Sequence, residues 1–194
     1  MDIKQLEPKE KVITFFGEIK SPSVESAIKE IAKINLTDQA YARQCAQWAV
    51  DNKLSPMPVS LTPIELYLST CGGNCYDGLS LYDVIEASQT PVEVICTGKI
   101  MSMGVIVALG AKVRKAHKNT TFMIHQVNGL SFGTLRDMQD TVAEATRINE
   151  MLFHIIQSKT HITEAQLHDV LESKKDWYLT SQEALQLGIL TDII

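Results

Sequence analysis

No apolar stretch of this chain reaches the ~18 residues that a membrane-crossing helix needs, which excludes an integral helical membrane protein. Met1 to Lys11 are polar and charged and hold no signal-peptide core, so the expected compartment is the cytoplasm. Four cysteines (Cys45, Cys71, Cys75 and Cys96) in 194 residues are too few and too scattered for a disulfide scaffold. Cys71 and Cys75 have three residues between them, but no second close Cys or His pair accompanies them, so free thiols and no metal are expected. A positive charge excess is missing as well. With 18 Lys and Arg against 23 Asp and Glu, the net charge of −5 offers no electrostatic basis for binding nucleic acid. The densest basic stretch, Lys112 to Lys118, interleaves its charges with Val113 and Ala116 and reads as an exposed strand. There is no internal repeat and no low-complexity tract.

What remains is a globular composition, 45% apolar and 21% charged. The length suits one domain over residues 1–194, with roughly 70% of the unfolded surface buried. Val12 to Phe16 reads as a buried strand. Ser21-Pro22, with Val24, Ala27, Ile28 and Ile31, opens an amphipathic helix. Thr37 opens a second helix through about Asn52, followed by a proline-containing linker over residues 54 to 63. Ile64 to Ser69 alternates as a strand and runs into Gly72-Gly73. A helix near Asp77 to Ala87, a strand at Val92 to Cys96 and a helix headed by Ser102 come next. Short strands are expected near Val113 to Ala116 and Thr121 to Ile124. The longest helix, Thr134 to Lys159, carries Leu135, Met138, Val142, Ala145, Ile148, Leu152 and Ile155 three or four apart. Thr163 to Gln166 and Thr180 to Glu183 are capping boxes, and Ile189 to Ile193 reads as a last strand. Strands alternating with helices imply layered α/β packing.

Ser102 stands at a strand-to-helix turn and His125 at the end of a short apolar strand. Serine is inert near neutral pH unless a nearby base takes its proton as it attacks, so this pairing is what serine-nucleophile chemistry needs. A triad also needs a carboxylate to hold the imidazole in one tautomer. Asp137, Asp140, Glu144, Asp169, Asp176 and Asp192 all follow His125. Asp176 differs from the others because a charged connection turns apolar there, at Trp177-Tyr178-Leu179. Gly72-Gly73 could present backbone N–H groups to a developing oxyanion, and the N–H of Met103 is a natural second donor. Taken singly, Ser102 also reads as a helix cap, His125 as a core histidine and Gly72-Gly73 as a tight turn. His154, His161 and His168 recur every seven residues, but a new helix starts between them, and no metal site is expected.

These segments carry a resemblance. Leu68 to Gly73, Gly78 to Asp83, Ser102-Met103-Gly104, Leu109 to Lys112, Met123-Ile124-His125-Gln126, and Asp176 with Thr180 to Gly188 resemble the Clp protease proteolytic subunit, ClpP, of the ClpP/crotonase superfamily. The resemblance implies a spiral of ββα units with a protruding handle over about residues 126 to 160. It implies catalytic Ser102, His125 and Asp176, and an oxyanion hole from Gly73 and Met103. No cofactor is implied. The expected substrates are peptides or unfolded polypeptides, cleaved inside a homo-oligomer of heptameric rings, stacked as a tetradecamer and fed by a ring ATPase.

The chain also departs from the family pattern. Met1 to Lys11 is shorter than the usual segment before the first strand, so ATPase docking is expected to differ. Thr37 to Pro63 is an addition. Lys174-Lys175 replaces an acidic-arginine pair that bridges rings, and Cys71 replaces a proline. Ile100 and Met101 replace small residues and are expected to narrow the groove beside Ser102. Three other readings stay open at this point: an inactive ring subunit, an ATPase-independent processing protease and a crotonase-like acyl-CoA enzyme.

Overall fold

The computed structural model describes residues 11–55, 59–129, 131–173 and 175–194. The expectations for the N-terminal segment, for residues 56–58 of the linker and for Lys174 lie outside the described residues. In chain order the elements are β1 (Val12–Phe16), α1 (Ser21–Asp51), β2 (Ile64–Thr70), α2 (Cys75–Glu86), β3 (Val92–Met101), α3 (Met103–Leu109) and β4 (Val113–Ala116). They continue with β5 (Thr121–Ile124), α4 (Leu135–Lys159), α5 (Glu164–Ser173), β6 (Trp177–Thr180), α6 (Ser181–Gln186) and β7 (Asp192–Ile193). The order β1-β2-β3-β4-β7 is parallel throughout. Parallel neighbours need a crossover between them, and the intervening helices supply it.

β3 is the element that builds the site, and it is twice the length read from the sequence. Its first half pairs with β4, from Glu93↔Val113 to Cys96↔Ala116. Its second half leaves β4 and pairs with β5, from Lys99↔Thr121 to Met101↔Met123. The change of partner falls at Gly98, where the β2 register also slips between Leu68↔Cys96 and Thr70↔Ile100. Gly98 takes φ +67, a conformation that costs glycine little. β6 then adds antiparallel to β5. The sequence does not announce this strand, because the four residues Trp177 to Thr180 are too few to show a period.

α1 is one continuous helix of 31 residues rather than two. Thr37-Asp38 reads as a helix start because Thr and Asp favour caps. Instead the Thr37 hydroxyl donates to the Lys33 carbonyl one turn back at 2.9 Å. Asp38 is spent on a tertiary contact. Its carboxylate meets Lys11 Nζ at 2.7 Å and accepts from the Thr90 hydroxyl at 2.5 Å, with the side chains of Lys11 and Asp38 only 3% and 1% exposed. The residue that caps its start is Lys20, whose N–H donates to Ser23 Oγ at 3.2 Å, so Ser21 is not the cap.

The core runs along the alternating inward residues of the strands. Ile64, Leu66, Leu68 and Thr70 are all fully buried, while the residues between them are half-buried. Burying one such leucine contributes ~1.5–3 kcal/mol. The basic stretch is not an exposed strand. β4 lies between β3 and β7, and Arg114 is buried, donating to the carbonyls of Ile189 (2.7 Å), Ala111 (2.7 Å) and Gly188 (3.0 Å). Three carbonyls replace the water that a guanidinium needs, so the charge turns inward. The last strand is also shorter than read: Ile189 and Leu190 are core residues, and pairing begins at Asp192.

α4 keeps its apolar row, but only half of it is covered. Ile148, Leu152 and Ile156 pack into the core, whereas Leu135 is 74% exposed and Val142 64%. Its start is fixed by a capping box, in which Thr134 Oγ1 accepts from the Asp137 N–H and the Asp137 carboxylate accepts from the Thr134 N–H.

Candidate active site

Two strand registers bring the chemistry together. Met101↔Met123 is the last pair of β3 and β5, so Ser102 and His125 each stand just beyond that ladder. Ile124↔Trp177 is the last pair of β5 and β6, so one step further the antiparallel register sets Asp176 opposite His125. Residues scattered through the chain therefore converge at one strand end. His125 Nε2 lies 2.6 Å from Ser102 Oγ. His125 Nδ1 lies 3.9 Å from Asp176 Oδ1, close enough for an ion pair but too far for a hydrogen bond. The imidazole is mostly enclosed, with 17% of its side chain exposed, while half of the Asp176 side chain meets solvent.

Ser102 is held in a backbone conformation that serine rarely takes, φ 55 and ψ −125. Its N–H is tied to the Met123 carbonyl at 2.8 Å, and α3 starts at the next residue. A sharp strand-to-helix turn of this kind pushes the side chain outward, in the manner of a nucleophile elbow. The strain costs ~1–3 kcal/mol and persists because β5 and α3 fix both sides of the turn.

The two glycines are demanded by space as well as by backbone angle. A Cβ on Gly72 (φ +96) would come within 2.7 Å of Ser102 Cβ and 2.9 Å of the Met101 carbonyl oxygen. A Cβ on Gly73 (φ +151) would come within 2.1 Å of the Ile19 carbonyl oxygen. Gly73 forms a parallel bridge with Ile19, in which the Ile19 N–H donates to Gly72 O (2.9 Å) and the Asn74 N–H to Ile19 O (2.8 Å). That pattern uses the neighbours of Gly73 and leaves its own N–H facing away from Ile19. Met103 is the first residue of α3, so its N–H has no acceptor within the helix. Both amides border one cavity of ≈ 270 Å³, which also holds Ser102 and His125.

Beyond the reacting atoms Met123, Val127, Leu152, Phe153 and Ile156 form an apolar part of the cavity wall, and Gln126, Asn128 and Asn149 a polar part. Neither Ile100 nor Met101 lines it, and Ile100 is fully buried in the core, so neither of them narrows this cavity. Cys75 also faces the cavity. Burial pushes its thiol up, which keeps it protonated and leaves the serine as the site's nucleophile candidate. Among the described residues no group of three or more His, Cys, Asp or Glu is placed to hold a metal ion.

Two asparagines at the site carried no signal in the sequence. Asn149, on α4, accepts from the Val127 N–H at 3.1 Å and so pins the segment after β5 to the helix. The Asn128 amide nitrogen lies 3.2 Å from His125 Nδ1. Elsewhere on α4, Glu144 is held down to about 2 by hydrogen bonds from Arg147 and then from Tyr76, and the Tyr76 contact at 2.5 Å joins α4 to α2.

Known proteins share this architecture. The chain superposes on a ClpP1 mutant from Listeria monocytogenes with a TM-score of 0.75, over 95% of this chain and 91% of that one. At 24% identity the likeness is one of fold. An ATP-dependent Clp protease proteolytic subunit from Deinococcus radiodurans is 31% identical over 68% of this chain, and the match spans 64% of that subunit's own length. The subunit of the same name from Borreliella afzelii is 27% identical over 96% of this chain and 84% of its own length. The profile of the family described as Clp protease matches residues 31–194, from the middle of α1 through every element that forms the cavity, and the chain therefore belongs to the Clp protease family.

Proposed function

We propose that this chain is a serine endopeptidase subunit that hydrolyses peptide bonds of unfolded polypeptides. The observation that carries the reading is the 2.6 Å contact between His125 Nε2 and the oxygen of a serine held on a strained turn. In the reaction His125 takes the Ser102 proton as Oγ attacks the peptide carbonyl. The N–H groups of Gly73 and Met103 then hold the oxyanion of the tetrahedral intermediate. His125 returns the proton to the leaving amine, and a water activated by the same imidazole releases the acyl group. Asp176 steadies the imidazolium from the Nδ1 side. The apolar wall of Met123, Val127, Leu152, Phe153 and Ile156 receives the substrate side chain next to the scissile bond, and apolar residues are preferred there.

Homo-oligomeric rings are part of the same reading. The uncovered half of α4, with Leu135 74%, Val142 64% and the preceding Phe132 82% exposed, supports packing against neighbouring copies. Supply of substrate by a ring ATPase rests on the names of the relatives, which are ATP-dependent subunits. The experiment is hydrolysis of casein and of a short fluorogenic peptide by the assembled protein, with and without a Clp ring ATPase and ATP. Peptide cleavage that disappears in Ser102→Ala is expected. Casein cleavage that needs no ATPase would overturn the ATPase part, and equal activity of Ser102→Ala would overturn the whole.

A further inference from the structure

His125 Nδ1 has two candidate partners, and the nearer is not the acid. Asn128 stands 3.2 Å away and Asp176 3.9 Å. Nδ1 carries either one proton or one lone pair, so it serves one partner at a time. With the amide NH2 turned toward it, Nδ1 accepts, the ring proton sits on Nε2, and that N–H donates to Ser102 Oγ. A ring in this tautomer has no lone pair for the serine proton. Half a turn of the amide places its oxygen at the same point, where it accepts from Nδ1–H and frees Nε2 as the base. Asn128 makes no other side-chain hydrogen bond among the described residues, so the turn gives up nothing. The segment that carries it is fixed: the Val127 N–H is held by Asn149 on α4, and Asn149 is itself buried.

We propose that Asn128 is a positioning residue for His125, its side-chain oxygen accepting the Nδ1 proton in alternation with Asp176. The inference rests on the reading of Ser102 as nucleophile and His125 as base. Throughout the cycle the Nδ1 proton stays on the ring, and only Nε2 gains and loses the serine proton, so the amide exchanges none. A neutral amide orients the ring as a carboxylate does but adds no charge to stabilise the imidazolium. Asp176, half in solvent, supplies that charge through water-weakened electrostatics. The two partners together do what a single buried acid does in other triads.

The test uses the assembled full-length protein in five forms: wild type, Asn128→Ala, Asp176→Ala, the double variant and Asn128→Asp. Asn128 is solvent-exposed, so its replacement leaves the fold standing. Peptide kcat and KM are measured across the acid limb of the pH profile, beside the labelling of Ser102 by a fluorophosphonate. Asn128→Ala is expected to cost a few-fold with Asp176 present, and roughly tenfold or more in kcat with Asp176 removed, at unchanged KM. Asn128→Asp sets a second carboxylate behind the ring and moves the acid limb to higher pH. Equal, small effects of Asn128→Ala in both backgrounds, with an unmoved profile for Asn128→Asp, would overturn the proposal. So would an Asn128→Ala form faster than wild type, which would assign the amide to the resting tautomer alone. Failure of the underlying reading looks different, since the wild type itself would then neither cleave peptide nor take the label.

Discussion

Replacing Gly73 with alanine tests the oxyanion arrangement through a single methyl group. The added carbon would come within 2.1 Å of the Ile19 carbonyl oxygen, far inside any tolerated contact. Ile19 cannot yield, because it is fully buried and held to the loop by its hydrogen bonds to Gly72 and Asn74. The glycine loop must therefore shift, and its N–H moves away from Ser102. Loss of one such donor costs ~2.7–4 kcal/mol in the transition state, a drop of roughly 10²–10³ in kcat. Gly17→Ala is the matched control: φ there is +110, but nothing lies within 4 Å of the added carbon. Both variants carry backbone strain of ~1–3 kcal/mol and melt lower than wild type. Only Gly73→Ala is expected to lose kcat, measured on a short peptide in assembled protein, with KM little changed. A Gly73→Ala enzyme within about threefold of the Gly17→Ala enzyme would refute the assignment of that amide.

Asp38→Ala strands Lys11 beneath α1 without its counter-ion and is expected to cost about 3–5 kcal/mol in denaturant unfolding. A Lys11→Met, Asp38→Leu double variant should recover most of the loss. Burial pushes the Cys96 thiol from about 9 up to about 12. Above its ordinary value the unfolded chain gives up that proton while the folded one keeps it, so stability falls as pH rises from about 9 to about 12. Cys96→Ala should flatten that part of the pH–melting curve. Glutamates at Leu135 and Val142 place charge on the uncovered part of α4 and are expected to shift the protein to smaller species in light scattering. An unchanged size would remove that face from the assembly.

The sequence made some of this legible because certain residues have few other uses. An apolar strand ending in histidine, and a serine between a strand and a run of small residues, pointed to two positions that the fold sets 2.6 Å apart. The long apolar row of α4 was plain, although its period could not say which half is covered. What stayed hidden depends on contacts distant in sequence. Thr37-Asp38 looks like a helix start until Lys11 is seen beside Asp38. Arg114 looks solvent-bound until three carbonyls surround it. The register of β6 on β5 brings Asp176 opposite His125, and four residues are too short to announce a strand. Asn128 belongs to the same group, since an asparagine in a loop has many ordinary uses.

The chemistry turns on whether Ser102 is activated by His125. A tagged fluorophosphonate, applied to assembled protein and located by mass spectrometry, measures this most directly. The label is expected on Ser102 in the wild type and absent from both Ser102→Ala and His125→Ala. A wild-type Ser102 that stays unmodified, or one that is modified equally well without His125, would contradict it.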